Sequence, residues 1–225
     1  MRRVLASTIF AITARTFLGC LKVELAASST PHPPLARINE AARQIFDKLM
    51  AERPNLQACV INAICSLVLA SYRELSTILG SCEAAQGVVG RTLSSALGTW
   101  MQSIVQLLVA MLRDPVKILS RMPLARLGRW AWGKSMGFQQ WSTDDSVFHV
   151  IDRCAFHQFF IDHGEPQLTR LFCKCDTPWM NVINRSGRPI RIDRPTTIST
   201  GSDTCQFIFT RDDPNSRRDP VDVVA

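Results

Sequence analysis

Three short clusters between Arg153 and Phe209 hold most of the residue types in this chain that are able to do chemistry. They are Arg153-Cys154-Ala155-Phe156-His157, then Phe172-Cys173-Lys174-Cys175-Asp176, then Arg194-Pro195-Thr196-Thr197-Ile198 leading into Gly201-Ser202-Asp203-Thr204-Cys205-Gln206-Phe207. On a helix, Cys173 and Asp176 share a stripe apart from Leu168, Leu171 and Phe172. A thiol beside a carboxylate sets a proton donor next to an acceptor, although the negative charge raises the thiol pKa and opposes a standing thiolate. Cys154 and His157 are also three apart, at a helix start, where free backbone donors and the positive dipole end lower a thiol pKa. That makes Cys154 the better nucleophile or acid, with His157 as its partner. Cys205 shares a strand face with Phe207 and Phe209 and so points inside, behind a turn at Gly201 that lets a ligand approach closely. Each feature also has a plain structural reading, because a buried cysteine is a common small hydrophobe and Cys–His pairs at this spacing arise often by chance.

Cys154, His157, Cys173, Cys175 and Cys205 can be drawn as zinc ligands, but the drawing is poor. Cys173 and Cys175 diverge by about 200° on a helix, and the sequence has no Cys-x2-Cys pair, so neither metal nor cofactor is expected. The phosphate-binding loop, dinucleotide glycine pattern, Gly-x-Ser-x-Gly and His-Glu-x-x-His signatures are absent.

The elements that must position these residues follow from periodicity. Val147 to Asp152 alternates as a strand, and Ile190-Arg191-Ile192 and Cys205 to Thr210 read as two more. Between the first two strands lie two short helices, Cys154 to His163 closed by Gly164, and Pro166 to Cys175 with proline at its start. Upstream, Ile38, Ala42, Ile45, Phe46 and Leu49 recur at helical spacing until Pro54 stops them. Leu56 to about Glu83 is apolar almost all round, as a buried central helix is, and Arg91 to Arg113 is a further helix. From Asp114 to Asp144 no acid intervenes, while Lys117, Arg121, Arg126, Arg129 and Lys134 alternate with Trp130, Trp132 and Trp141. This segment is expected to be pinned to the body by its tryptophans or to form a lid, in preference to a membrane-surface helix.

The predicted fold is α+β: a helical N-terminal half packed on a small antiparallel sheet with two short helices inserted. Residues 1–35 are an N-terminal extension with a Pro-rich linker at Ser28–Pro34. Residues 36–210 form one α+β domain, helical over 36–135 and mixed over 145–210, and 211–225 are a loose C-terminal tail. The 225 residues suffice for a sizeable core at 46% hydrophobic content. The net charge of +7 is uneven: residues 1–135 carry 16 basic against 7 acidic residues, and the rest 10 against 12. The chemistry-bearing half is slightly acidic, so nucleic acid is not an expected partner. Several of the eight cysteines sit in apolar runs, which suits unpaired thiols in a reducing compartment. Residues 1–23 lack acids and fit a plain first helix, an amphipathic presequence or, less well, a secretory signal. A cytoplasmic location is expected, with an organelle as the alternative. The apolar run Ala58–Ala70 is too short to span a bilayer, and membrane contact is not expected. Self-association stays open.

The ordered set Arg153-Cys154, His-Gly-Glu-Pro-Gln-Leu, Phe-Cys-Lys-Cys-Asp and Arg-Pro-Thr-Thr-Ile-Ser-Thr-Gly-Ser-Asp-Thr-Cys-Gln-Phe resembles the L-2-amino-thiazoline-4-carboxylic acid hydrolase family over about residues 145–210. The resemblance implies hydrolytic opening of a small cyclic isothiourea toward a carbamoyl-cysteine. It implies Asp176 as the base, Cys173 placing water or shuttling the proton, and Cys154 as acid or nucleophile. It also implies Arg194 as a clamp for the substrate carboxylate, Thr197 beside it, and Gly201 and Cys205 shaping the floor. A cyclase or isomerase of natural-product assembly, or a non-catalytic Cys-lined ligand-binding module, are the competing readings.

Overall fold

The computed structural model describes residues 2–27, 34–52 and 58–212. The Pro-rich stretch at 28–33, Pro54 and the tail from 213 onward lie outside the described residues. Among those described, helices dominate the N-terminal half, and the C-terminal half holds a small antiparallel sheet of four strands, so the α+β expectation holds. The chain divides into two compact units, one of residues 1–96 and 156–172, the other of residues 97–155 and 173–225.

The first unit contains α1 (Arg2–Ala27), α2 (Leu35–Glu52), α3 (Cys59–Leu79) and the first half of α4 (Cys82–Met111). α3 is its axis, burying Ile61, Cys65, Leu67, Val68, Leu69 and Leu75. Phe17, Leu21 and Leu25 of α1 and Ile38, Ala42 and Phe46 of α2 are likewise buried. α3 stops at Leu79 and not near Glu83, because Gly80 takes a left-handed conformation at φ 63°. Its 21 residues also correct the shorter apolar run. Both α3 and residues 4–27 of α1 are long and apolar enough, by length and composition, to cross a membrane. α3 is mostly buried within its unit, whereas α1 leaves Val4, Leu5, Ile12 and Val23 exposed.

The second unit is built on the sheet, in the order β1 (Gly137–Ser142), β2 (Ser146–Arg153), β4 (Cys205–Thr210), β3 (Arg191–Thr196). Register puts Val147 opposite Phe209, His149 opposite Phe207, and Ile151 opposite Cys205, so these side chains share one face. That face packs with Val109 of α4, Val116 of α5 (Pro115–Arg121), and Met180 and Ile183 of α9 (Thr177–Asn184). β1 carries no alternating branched residues and so shows no strand signal in the sequence. α6 (Leu124–Trp132) lies on β1, with Gly128 against the Phe138 ring, where an added methyl would come within 2.9 Å.

Two expectations are corrected in this unit. Trp130, 77% exposed, is not buried against the body, whereas Trp141, 49% exposed, stacks on Phe148 of β2 with ring centroids 5.3 Å apart. The stretch between β2 and β3 contains three helices and not two: α7 (Ala155–Asp162), α8 (Thr169–Lys174) and α9. Pro178 explains the third, because it has no N–H to continue the α8 ladder and suits the first turn of a new helix.

α9 is fastened to the edge strand by one side chain. The Asn184 amide donates to the Ile192 carbonyl at 3.0 Å and accepts from the Ile192 N–H at 2.8 Å, covering the open edge of β3. Asn184→Ala leaves both Ile192 groups without this partner and is expected to lower unfolding free energy by about 1–3 kcal/mol. An unchanged urea midpoint would show that the amide does not hold α9 to β3.

Candidate functional site

Asp176 sits in the turn between α8 and α9, and its backbone carbonyl accepts from Met180 N–H as the first bond of α9. Its side chain takes one donor on each oxygen: Trp179 Nε1 at 3.0 Å on Oδ1 and Arg194 Nη1 at 2.7 Å on Oδ2. The second Arg194 Nη donates to the Cys173 carbonyl at 2.9 Å. A single guanidinium therefore ties the carboxylate to the end of α8. Arg194 reaches this position because β3 is irregular between Asp193 and Thr196, where Pro195 offers no N–H to the ladder. Ile192 and Arg194 are its buried positions, and the guanidinium lies over the Phe207 ring at 5.6 Å, with Trp179 stacked on the same ring.

The two thiols flank this pair. Cys173 Sγ is 3.2 Å from Ser199 Oγ, and Cys205 Sγ accepts from the Ile198 N–H at 3.2 Å. The turn holding Ile198 and Ser199 is organised by Thr197, whose buried hydroxyl contacts Ser199 Oγ and Thr200 Oγ1 at 3.2 and 3.0 Å. Gly201 ends the turn at φ 96°, a conformation that side-chain-bearing residues avoid.

Burial raises the Cys173 and Cys205 thiols above their ordinary pKa; the Ser199 hydroxyl and Arg194 pull Cys173 back only in part, as the Ile198 amide does for Cys205. Burial also raises Asp176, against the Trp179 hydrogen bond and the Arg194 charge. The Asp176 side chain as a whole nevertheless keeps 36% of its surface exposed, whereas the Arg194 side chain is 1% exposed. The arrangement offers an ionisable carboxylate with protonated thiols near it.

Of the residues the sequence singled out, Cys173, Asp176, Arg194 and Cys205 are thus brought together. Thr197 and Gly201 shape the adjoining turn. Arg194 differs from its expected use: both its terminal nitrogens bond protein groups and it is buried, so it is not presented as a clamp for a substrate carboxylate. Cys154 follows β2, three residues beyond Ile151, the partner of Cys205, which puts its Cα within about 11 Å of that rung along the chain. His157 belongs to the first unit, where its Nδ1 lies 3.2 Å from Thr169 Oγ1 and burial lowers its pKa. Trp179 and Ser199 are not singled out by the sequence, and Phe207 is read there only as a neighbour of Cys205 on its strand. Only Trp179, three residues after Asp176, had a readable spacing. Among the described residues no group of three or more His, Cys, Asp or Glu is arranged to hold a metal.

A cavity of about 800 Å³ in the same unit lies on the other side of α9, between Thr177, Asn181 and Arg185 and the α4 residues Gln102 and Gln106. None of Cys173, Asp176, Arg194 or Cys205 lines it.

Raised thiol pKa values have a measurable consequence. Mapping of iodoacetamide adducts at neutral pH is expected to find the exposed Cys82 alkylated and Cys173 and Cys205 spared. Preferential modification of Cys173 would contradict a protonated thiol.

Comparison with known proteins places the chain. No curated protein matches it. Among solved structures, an H-NOX protein from S. oneidensis in the Fe(II)NO ligation state aligns over 88% of this chain and 98% of its own, at 12% identity and a TM-score of 0.29, a likeness too slight to support an argument. The family model of L-2-amino-thiazoline-4-carboxylic acid hydrolase matches residues 60–209, well over half of the chain and including every member of the cluster, so the chain belongs to that family.

Proposed function

We propose that this protein hydrolyses a small cyclic isothiourea of the aminothiazoline type, with Asp176 as the general base. Family membership supports a hydrolase-like function on a small molecule. The observation that carries the finer reading is Asp176 itself, a side chain still 36% exposed whose two carboxylate oxygens are fixed by Trp179 and by the sealed Arg194 cation. Water adds its oxygen to the ring carbon between sulfur and nitrogen while its proton passes to Asp176. The bond from that carbon to one ring heteroatom then breaks, and the heteroatom leaves with a proton, giving an opened carbamoyl product. Cys173, kept as a thiol by burial, supplies that proton and recovers one through Asp176. Arg194 fixes the carboxylate and carries no proton in the cycle. Trp179 donates to Oδ1 and limits its rotation.

A base must be deprotonated to act, so activity is present at higher pH and lost as pH falls through the Asp176 pKa. Burial puts that pKa above the ordinary carboxylate range. With L-2-amino-thiazoline-4-carboxylate as substrate, Asp176→Asn is expected to reduce kcat by about 10²–10⁴ while the fold and substrate binding persist. Product masses should show the gain of one water. An Asn variant that keeps turnover and the same pH profile would remove Asp176 as the base, and a product of unchanged mass would replace hydrolysis by isomerisation.

A further inference from the structure

We propose that the α5–α6 segment is a docking surface for an anionic lipid membrane. On α6, Ala125 is buried and Gly128 packs on Phe138, while Arg126, Leu127 and Trp130 project from the opposite side within about 100° of arc. At 77%, Trp130 is the most exposed large apolar side chain among the described residues. Leu127 at 47% and Met122 at 37% continue the apolar surface toward α5. A soluble surface seldom groups a tryptophan, a leucine and a methionine in one short stretch. Tryptophan is the side chain best suited to the boundary between headgroups and acyl chains, because its ring is large and apolar yet carries an N–H.

The charges name the partner. Lys117, Arg121, Arg126 and Lys134 are exposed around these residues, and no acid occurs between Asp114 and Asp144. Arg129 is set apart by its bond to the Phe138 carbonyl. The stripe Ile104, Leu107, Leu108 and Met111 on α4 is also exposed in this unit, but the sequence carries no basic residue between Arg91 and Arg113 to interleave with it, and Arg188 beside it bonds the Ala110 carbonyl. Basic and apolar residues interleaved on one short helix match a negatively charged bilayer surface, where both the cations and the apolar tips gain contacts. At 77% exposure, Trp130 leaves most of its ring outside the body of the unit.

The test is co-sedimentation of the full chain with vesicles of phosphatidylcholine alone and of phosphatidylcholine with phosphatidylserine. The expected result is binding to the anionic vesicles only, weakened at high salt. Each of Arg121→Gln and Arg126→Gln should weaken it about fivefold, and the double variant Leu127→Ala/Trp130→Ala should abolish it. Binding that these variants leave unchanged would assign the contact to another surface such as α1 and overturn the proposal. So would absence of binding, or a concentration-dependent dimer lost in the double variant without any vesicle association. Circular dichroism of the variants separates loss of the surface from loss of fold.

Discussion

A guanidinium removed from water and committed to one carboxylate is the constraint around which the second unit is arranged. Arg194 is 1% exposed, yet its two terminal nitrogens reach Asp176 and the Cys173 carbonyl. Burying such a cation alone is expensive, and the cost is offset only when the partner is held at hydrogen-bond distance. Everything that fixes Asp176 against β3 therefore also stabilises the burial of Arg194. The Trp179 ring, stacked on Phe207 beneath the guanidinium, closes the apolar side of the pair. What exposure the pair retains belongs to the Asp176 side chain.

Several local features serve this pairing. The irregularity at Pro195 frees β3 to place Arg194 over Phe207, the Asn184 amide locks α9 to Ile192, and Pro178 restarts the helix directly after Asp176. The left-handed Gly201 closes the turn that delivers Ser199 to Cys173 and the Ile198 amide to Cys205.

Legibility in the sequence followed the physics of each signal. β2 and β4 were readable because Val147-Phe148-His149-Val150 and Cys205-Gln206-Phe207 repeat with the period of a strand. β1 was not, because Gly137-Phe138-Gln139-Gln140-Trp141-Ser142 has the hydrophobic content of a loop and becomes a strand through its pairing with β2. The closeness of Cys173 to Asp176 was visible from spacing. The partner of Asp176 was not, since nothing local tells an arginine that faces a substrate from one that faces a carboxylate eighteen residues away. Trp130 was not legible either: aromatic residues are usually buried, and only the packing of α6 through Ala125 and Gly128 shows that Trp130 faces out.

The most direct measurement is a double-mutant cycle on unfolding free energy, using Arg194→Met, Asp176→Asn and the combined variant in urea. If the buried cation and its carboxylate support one another, the two effects are coupled by about 1–3 kcal/mol, and the double variant is less damaged than the sum of the singles. Effects that add to within about 0.5 kcal/mol would mean that the two side chains are independent, and would contradict a site organised by their contact.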